Sequence, residues 1–225
     1  MVDIMPRLET ISRDAVSTSE EVYQQIKAGI VYLDYQPGDV LPIRKLANKI
    51  GVSATPICEA LVRLEYDNLV HRNHNTSGYV SEISFKNLKD IFEVRLFLIE
   101  QAGRLAARRI TDAELKRLEG LVGEIEQTRS PKKVVQLDAK CHEVIYDATK
   151  NQALAKVLGL LRVQITCLWL FIEDKDEFAL TIIDDWERLV GVLTDRDRQR
   201  SAAIFKEHAL KFIAKVRESI GAKGM

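Results

Sequence analysis

Asp138 and His142 are the two residues in this sequence whose types and spacing point most directly to chemistry. They are four positions apart, and in a helix this spacing puts both side chains on one face, where they could present two ligands to one metal ion. His208 is the only histidine in the last predicted helix. A helical Asp or His is more often solvated or held by an ordinary hydrogen bond, so the spacing alone leaves both interpretations open.

Arg95 and the two tryptophans are candidates for binding an organic ligand. Arg95 stands among apolar residues in the helical sequence IFEVRLFLIEQAGRLAARRI. Its guanidinium could form an ion pair, or it could receive an anionic ligand, because Arg can donate two hydrogen bonds to a carboxylate at once. Trp186 is either an ordinary core aromatic or, with Trp169 and Phe171, part of the stacking wall of an effector pocket.

All of these residues lie in a region that is predicted to be entirely helical. The predicted helices span residues 85–110, 111–127, 132–149, 151–171, 174–193 and 196–220. Asp112, Ser130-Pro131, Asn151 and Thr194-Asp195 supply the caps or breaks between them. Helices of these lengths predict an antiparallel bundle.

The preceding segment has the pattern of a winged helix-turn-helix. Gly51 breaks a first amphipathic helix, Ser53 can cap a second one, and Pro56 falls in the first turn, where a missing N–H costs little. The buried face of the second helix is predicted from helical spacing to be Ile57, Ala60, Leu61 and Leu64. A strand pattern on either side of a turn-forming segment at 73–78 then predicts a hairpin, which is the wing.

Composition is compatible with two modest domains behind a short arm. The 225 residues are 46% hydrophobic, which allows each domain its own core. The predicted arrangement is an N-terminal arm at 1–17, a winged helix-turn-helix at 18–84 and an all-α domain at 85–221. The fold class is therefore mainly α.

Charge and cysteine usage bound the class of protein further. The formal net charge is zero, so no general attraction to polyanions follows. Cys58, Cys141 and Cys167 show no metal-type pairing, which favours a reducing cytoplasm over a disulfide framework. No apolar run approaches the ~20 residues of a membrane span, and the N-terminal sequence has no apolar signal-peptide region. We expect a cytoplasmic protein without a membrane partner.

The segment from Pro37 to Val80 resembles the DNA-binding head of GntR-type bacterial transcription regulators. That family shows PG-x-x-L, a helix with L-A, the run G-V-S-R-T-P-V-R-E-A-L-x-x-L, then G-L-V and a wing glycine. The matching residues are Pro37-Gly38, Leu41, Leu46-Ala47, Gly51-Val52-Ser53, Thr55-Pro56, Glu59-Ala60-Leu61, Leu64, Leu69-Val70 and Gly78. The resemblance implies that the chain binds a double-stranded DNA operator.

Two residues depart from that pattern at the start of the second helix. Ala54 and Cys58 stand where the family has arginines that reach phosphates and guanine edges, and neither can make those contacts. The head from Glu21 to Val80 is also formally neutral, whereas DNA-binding modules normally show a basic face. We predict a reduced or altered operator affinity. The candidate DNA-binding residues are Arg44, Ser53, Ala54, Thr55, Pro56, Cys58, Arg63, Arg72 and Gly78.

The region from Phe85 to Ile220 resembles the FCD ligand-binding domain, in its six-helix, VanR-like form. The resemblance implies a central divalent metal, zinc or nickel, held here by Asp138, His142 and His208. The expected third ligand, a histidine, is replaced by Trp186, whose indole offers only a donor N–H. The site is then open with extra water, completed by Asp185 or a ligand, or not metallated.

These residues support one main function and two alternatives. The first is a homodimeric transcription regulator, expected to be a repressor, whose bundle binds an organic-acid-like effector through candidates Arg95, Trp186 and Trp169. The second is a related sensor with weakened or altered DNA binding, because the two arginines are missing. The third is a metal-dependent hydrolase, but the chain has no motif such as H-E-x-x-H to supply a general base, so we expect no enzymatic activity.

Overall fold

A computed structural model describes residues 19–73, 77–82, 85–128, 130–166, 168–169 and 175–222. The predicted N-terminal arm, Cys167 and Phe171 lie outside the described residues. The chain divides into two compact units, Met1–Ile83 and Ser84–Met225. No helix in the described part of the chain is long and apolar enough to cross a membrane.

The first unit contains three helices and three short strands in its described residues. In chain order they are α1 Ser19–Val31, β1 Val40–Pro42, α2 Ile43–Ile50, α3 Ala54–Tyr66, β2 Val70–Asn73 and β3 Ser77–Val80. Gly51 ends α2 in the left-handed conformation, with φ of 82°, and its N–H donates to the carbonyl of Ala47. Ser53 occupies the N-cap position of α3, although its side chain makes no capping hydrogen bond. The predicted helix-turn-helix is confirmed.

The core of this unit forms where α3 meets α1. Ile57, Ala60, Leu61 and Leu64 are all buried, as the helical spacing predicts, and Val22 and Ile26 are buried on α1. Full burial of a large aliphatic side chain contributes about 1.5 to 3 kcal/mol. This packing turns the opposite flank of α3 to solvent.

The wing is part of a three-stranded antiparallel sheet in the order β1-β3-β2. The predicted hairpin is β2 with β3, in which Val70 pairs with Val80. Strand β1 was not predicted; it pairs with the other edge of β3, where Val40 lies opposite Tyr79. Gly78 is needed in β3 because a Cβ there would lie 2.7 Å from Cγ1 of Val70.

The second unit consists of six helices in its described residues. They are α4 Phe85–Arg109, α5 Asp112–Gln127, α6 Pro131–Ala148, α7 Gln152–Thr166, α8 Lys175–Thr194 and α9 Arg198–Ala222. Thr111 and Glu114 form a reciprocal capping box at the start of α5. Ser130 caps α6 and is followed by proline at the first helical position. The predicted all-α domain is confirmed, and α7 is described from Gln152 to Thr166.

Helices α4 and α9 approach each other closely at Gly103. A Cβ at this position would lie 2.8 Å from the carbonyl oxygen of Ser201, whose hydroxyl donates to the carbonyl of Gly103 at 3.0 Å. The helices run antiparallel, since Lys206, after Ser201, pairs with Glu100, before Gly103. Arg95 on α4 and His208 on α9 each lie about two helical turns beyond this crossing, so both come to the same level of the bundle.

Candidate functional site

Asp138, His142 and His208 come together in the interior of the bundle. Asp138 and His142 lie one turn apart on α6, and His208 projects from α9; all three side chains are buried. One ligand atom from each lies within 4.8 Å of the others. The predicted trio is therefore assembled, and whether it binds a metal stays a prediction.

Asp138 accepts contacts from several donors at once. The indole N–H of Trp186 donates to its Oδ1 at 3.0 Å. Arg162 Nη2 and His142 Nε2 lie 3.6 and 3.7 Å from Oδ2, and His208 Nε2 lies 3.4 Å from Oδ1. Burial alone would raise the pKa of Asp138, but these surrounding groups hold it below its ordinary value. Asp138 is therefore a carboxylate with one oxygen in a hydrogen bond and the other beside the nitrogen atoms of Arg162 and His142.

Asp185 supports His208 from behind and does not join the trio. Its Oδ2 lies 3.4 Å from His208 Nδ1, the ring nitrogen opposite to the one that faces Asp138. Lys211 Nζ donates to the other oxygen of Asp185 at 2.5 Å. Asp185, one of the alternatives for completing a metal site, lies on the far side of the imidazole and is not among the three converging residues. Burial would lower the pKa of His208, but the two carboxylates raise it.

The residues around Asp138 fit a metal ion poorly. Three converging donors match the number of protein ligands in many zinc sites. The position at which the family resemblance expects a further histidine, however, holds Trp186, whose N–H points at an oxygen that a metal would need. Arg162 adds a fixed positive charge beside the same carboxylate, where it would repel a divalent cation. Protein groups thus already give Asp138 a hydrogen bond on one oxygen and a positive charge beside the other.

A pocket opens beside this cluster. Its polar end is formed by Arg95, Arg162, Asp138 and both histidines, and its free space has a volume of about 20 Å³. Arg95 was predicted as an effector contact and does line the pocket. Arg162 was not predicted. A single Arg inside the apolar run VLGLLRVQIT was the available signal, of the same kind that singled out Arg95.

Arg95 is buried, with 3% of its surface exposed, and its Nε has no hydrogen-bond partner among the described residues. Burial, and to a lesser degree the neighbouring Arg162, lower its pKa. Burial also lowers the pKa of His142, which favours the neutral imidazole. The polar end of the pocket is consequently dominated by two guanidinium groups.

The opposite end of the pocket is apolar. Ile165, Trp169, Ile182 and Phe212 line it, and the rings of Trp169 and Phe212 lie 5.4 Å apart between centroids. The structure thus brings the predicted residue Trp169 to the pocket. Trp186 does not line it among the described residues, because its indole lies behind Asp138. The arrangement suits a ligand with an anionic head and a hydrocarbon body.

The start of α3 is the exposed flank that could lie against DNA. Ser53, Ala54 and Thr55 are exposed, and Pro56 and Cys58 are half-buried. Arg44, also a candidate, is exposed on α2. A helix that presents its N-terminal residues in this way is how helix-turn-helix proteins reach the major groove.

Three other candidates for DNA contact have structural partners. Arg63 lies 2.5 Å from Glu20 and stacks over the ring of Tyr23 on α1. The main-chain N–H of Arg72 donates to Glu65, whose carboxylate also lies 3.8 Å from the guanidinium. Gly78 is buried within the sheet. The structure therefore gathers the candidates from Ser53 to Cys58 on one flank but gives these three a role inside the domain.

Comparison with known proteins assigns both units. Residues 90–211 match the FCD domain, and residues 18–80 match the bacterial regulatory proteins of the gntR family. The HTH-type transcriptional regulator YdhC of Bacillus subtilis is 25% identical over 84% of this chain and 85% of its own length. The Nta operon transcriptional regulator of Aminobacter aminovorans is 26% identical over 83% of this chain and 88% of its own length.

The fold is shared with a solved structure. The structure of Escherichia coli McbR/YncC has a TM-score of 0.82 at 22% identity and covers 91% of this chain and 99% of that one. At this identity the likeness concerns the fold alone, and the family is given by the domain matches. The chain belongs to the GntR family of bacterial transcription regulators that join a winged helix-turn-helix to an FCD domain.

Proposed function

We propose that this protein is a cytoplasmic repressor that binds a two-fold symmetric operator as a homodimer and is controlled by a small organic acid in its FCD domain. The observation that carries the proposal is that one chain has both an exposed α3 flank in its first unit and a buried, arginine-lined pocket in its second. A dimer places two such flanks on successive major grooves, which is why operators of helix-turn-helix proteins are palindromic. The names of the relatives, which describe transcription regulators, support this assignment.

The pocket is the proposed effector site and not a catalytic one. Its polar side chains are buried cations and a carboxylate already held by Trp186 and Arg162. A general base must be within reach of the proton that it takes, whereas Asp138 is held by the indole N–H of Trp186 and lies beside the guanidinium of Arg162. A ligand that binds the two conformations of the dimer unequally would shift the DNA-binding population.

Selection of binding sites from a random duplex library tests the DNA-binding half of the proposal. We expect enrichment of one two-fold symmetric sequence by the full chain. A Thr55→Asp variant is the matched control, because it puts a negative charge on the exposed flank next to the phosphates. It is expected to enrich nothing. Failure of the wild-type chain to enrich any symmetric sequence contradicts the proposal and supports the sensor with weakened DNA binding.

A thermal-shift screen of small organic acids tests the effector half. A ligand that binds only the folded state raises the melting temperature in proportion to the logarithm of its concentration. Compounds that raise it are then added to the operator complex. We expect at least one of them to lower operator affinity, as a repressor released by its effector requires. Increased affinity for the operator would instead indicate a co-repressor.

A further inference from the structure

The polar end of the pocket carries more positive than negative charge. Two guanidinium groups, those of Arg95 and Arg162, line it with a single carboxylate, that of Asp138, among the described residues. The exposed fractions of these residues are 3%, 5% and 4%, so all three groups are removed from water. Burying a charge is costly unless it is paired. One of the two cations therefore calls for a further anion.

Arg95 is the cation in question. Arg162 lies 3.6 Å from Oδ2 of Asp138, whereas the Nε of Arg95 has no hydrogen-bond partner among the described side chains and main chain. A guanidinium with an unused buried N–H is suited to a planar anion, because it can donate two parallel hydrogen bonds to a carboxylate. Arg95 lines the pocket, and its described neighbours besides Arg162 and Asp138 include the Tyr146 hydroxyl, which is not an anion at neutral pH because burial raises its pKa.

Trp186 and Arg162 take the positions around Asp138 that a metal would require. The indole N–H donates to Oδ1, the oxygen that His208 also faces. The guanidinium neutralises Oδ2 from the pocket side. The indole thus occupies a lone pair of Oδ1, and the guanidinium places positive charge beside Oδ2, which are two things that a divalent cation would otherwise supply.

We infer that this pocket binds a small monocarboxylate directly, with the carboxylate between Arg95 and Arg162 and no metal ion. The inference rests on the proposed function, which makes this pocket the effector site. One carboxylate supplies an anion for the second guanidinium, while a second carboxylate would approach Asp138. Ile165 and Trp169 line the other end of the pocket, so the alkyl group of the acid would point to them.

Calorimetric titration of the full chain tests the ligand class. The probes are acetate, propionate and isobutyrate, with succinate as a dicarboxylate and propionamide as a neutral analogue of the same shape. We expect the monocarboxylates to bind, succinate to bind less well, and the amide not to bind. EDTA is expected to leave carboxylate affinity unchanged. Absence of binding by all three monocarboxylates, or equal binding of propionate and propionamide, overturns the inference without any substitution being made.

The Arg95→Gln variant tests the assigned head group. It removes the charge but keeps a polar side chain, and we expect about tenfold to hundredfold weaker carboxylate binding. Arg104→Gln is the matched control on the same helix, because Arg104 pairs with Glu100 outside the pocket, and it is expected to bind as the wild type does. Circular dichroism melting of both variants confirms that they are folded. Equal affinities of folded Arg95→Gln and wild type overturn the inference.

Metal content provides a separate readout. After soaking in zinc or nickel and dialysis, mass spectrometry is expected to find far less than one metal per wild-type chain. Trp186→His supplies the missing fourth ligand and is expected to raise the content to about one. Trp186→Phe supplies none and is expected to stay low. A full equivalent of metal on the wild type, together with loss of carboxylate binding in EDTA, overturns the inference.

These outcomes are distinguishable from failure of the proposed function. Enrichment of a symmetric DNA sequence by a chain that binds no carboxylate leaves the regulator intact and removes only the metal-free pocket. Carboxylate binding by a chain that enriches no DNA supports the metal-free pocket and contradicts the DNA-binding half of the proposed function.

Discussion

Restoring arginines at positions 54 and 58 is the most informative change to the DNA-binding surface. Ala54 is exposed at the first position of α3, and Cys58 is half-buried one turn further along the same helix. A guanidinium at either position would extend from the flank that includes Thr55. We expect the Ala54→Arg, Cys58→Arg double variant to bind DNA more tightly than the wild type.

The magnitude follows from the contacts that become possible. A bidentate base contact contributes about 1 to 3 kcal/mol, which corresponds to roughly tenfold to hundredfold in affinity for one contact per subunit. Each additional phosphate contact also steepens the dependence of log affinity on log salt concentration by about 0.9. The neutral head offers little competing charge, since six basic residues between Glu21 and Val80 are balanced by six acidic ones.

Fluorescence anisotropy of labelled duplexes at several salt concentrations measures both effects. The Ala113→Arg, Ala203→Arg variant is the matched control, because it adds the same two charges at exposed positions of α5 and α9. We expect the control to change affinity and salt dependence little. Equal affinity and equal salt dependence of the wild type and the α3 variant would refute the assignment of this flank to DNA.

Three further predictions concern stability and are measured by urea unfolding of purified variants. Gly103→Ala is expected to destabilise the bundle by about 1 to 3 kcal/mol, because the new methyl meets the backbone of α9. Gly120→Ala is its control, because there is open space around Gly120, and it is expected to be neutral or up to about 1 kcal/mol stabilising. Equal effects of the two changes would contradict the close approach of α4 and α9. Gly51→Ala is expected to cost about 1 kcal/mol because φ there is 82°, and an unchanged midpoint would contradict the left-handed cap. Trp186→Phe is expected to cost about 1 to 3 kcal/mol, since Asp138 loses a buried hydrogen-bond donor; no loss would show that the donor is unimportant.

Local sequence signals were sufficient for the helix-turn-helix and for most of the bundle. Gly51 and Pro56 mark the boundary between α2 and α3. The apolar residues of each helix have helical spacing, and the spacing in α3 predicts the buried face around Leu61. Such signals act within one or two turns, so they are readable without knowing the tertiary structure. The caps at Thr111 and Ser130 belong to the same class.

Features that depend on distant partners were not predictable in this way. Strand β1 is three residues long, ends in proline and exists because β3 lies beside it. Arg63 is of a residue type that commonly contacts DNA, but it pairs with Glu20, which is 43 positions earlier in the chain. The sequence cannot show which of several polar groups a charged side chain will meet.

The candidate pocket was predictable in its residue types but not in its electrostatics. Asp138, His142 and His208 were expected to converge, and they do. Arg162 stands out in the sequence as a single Arg in an apolar run, but its pairing with Asp138 depends on how α7 rotates toward α6, which helical spacing does not specify. The family resemblance identifies Trp186 only as a departure from the expected histidine. The hydrogen bond from its indole to Asp138 gives a physical reason for a tryptophan at this position.

Coupling between the pocket and the DNA-binding head is tested most directly by one titration. Operator affinity is measured in EDTA with and without a saturating concentration of the monocarboxylate that binds best. We expect a change of about fivefold or more, the lower range of allosteric coupling, and we expect Arg95→Gln to abolish this change while retaining operator binding. Unchanged operator affinity at demonstrated saturation of the pocket would contradict control of DNA binding by this pocket.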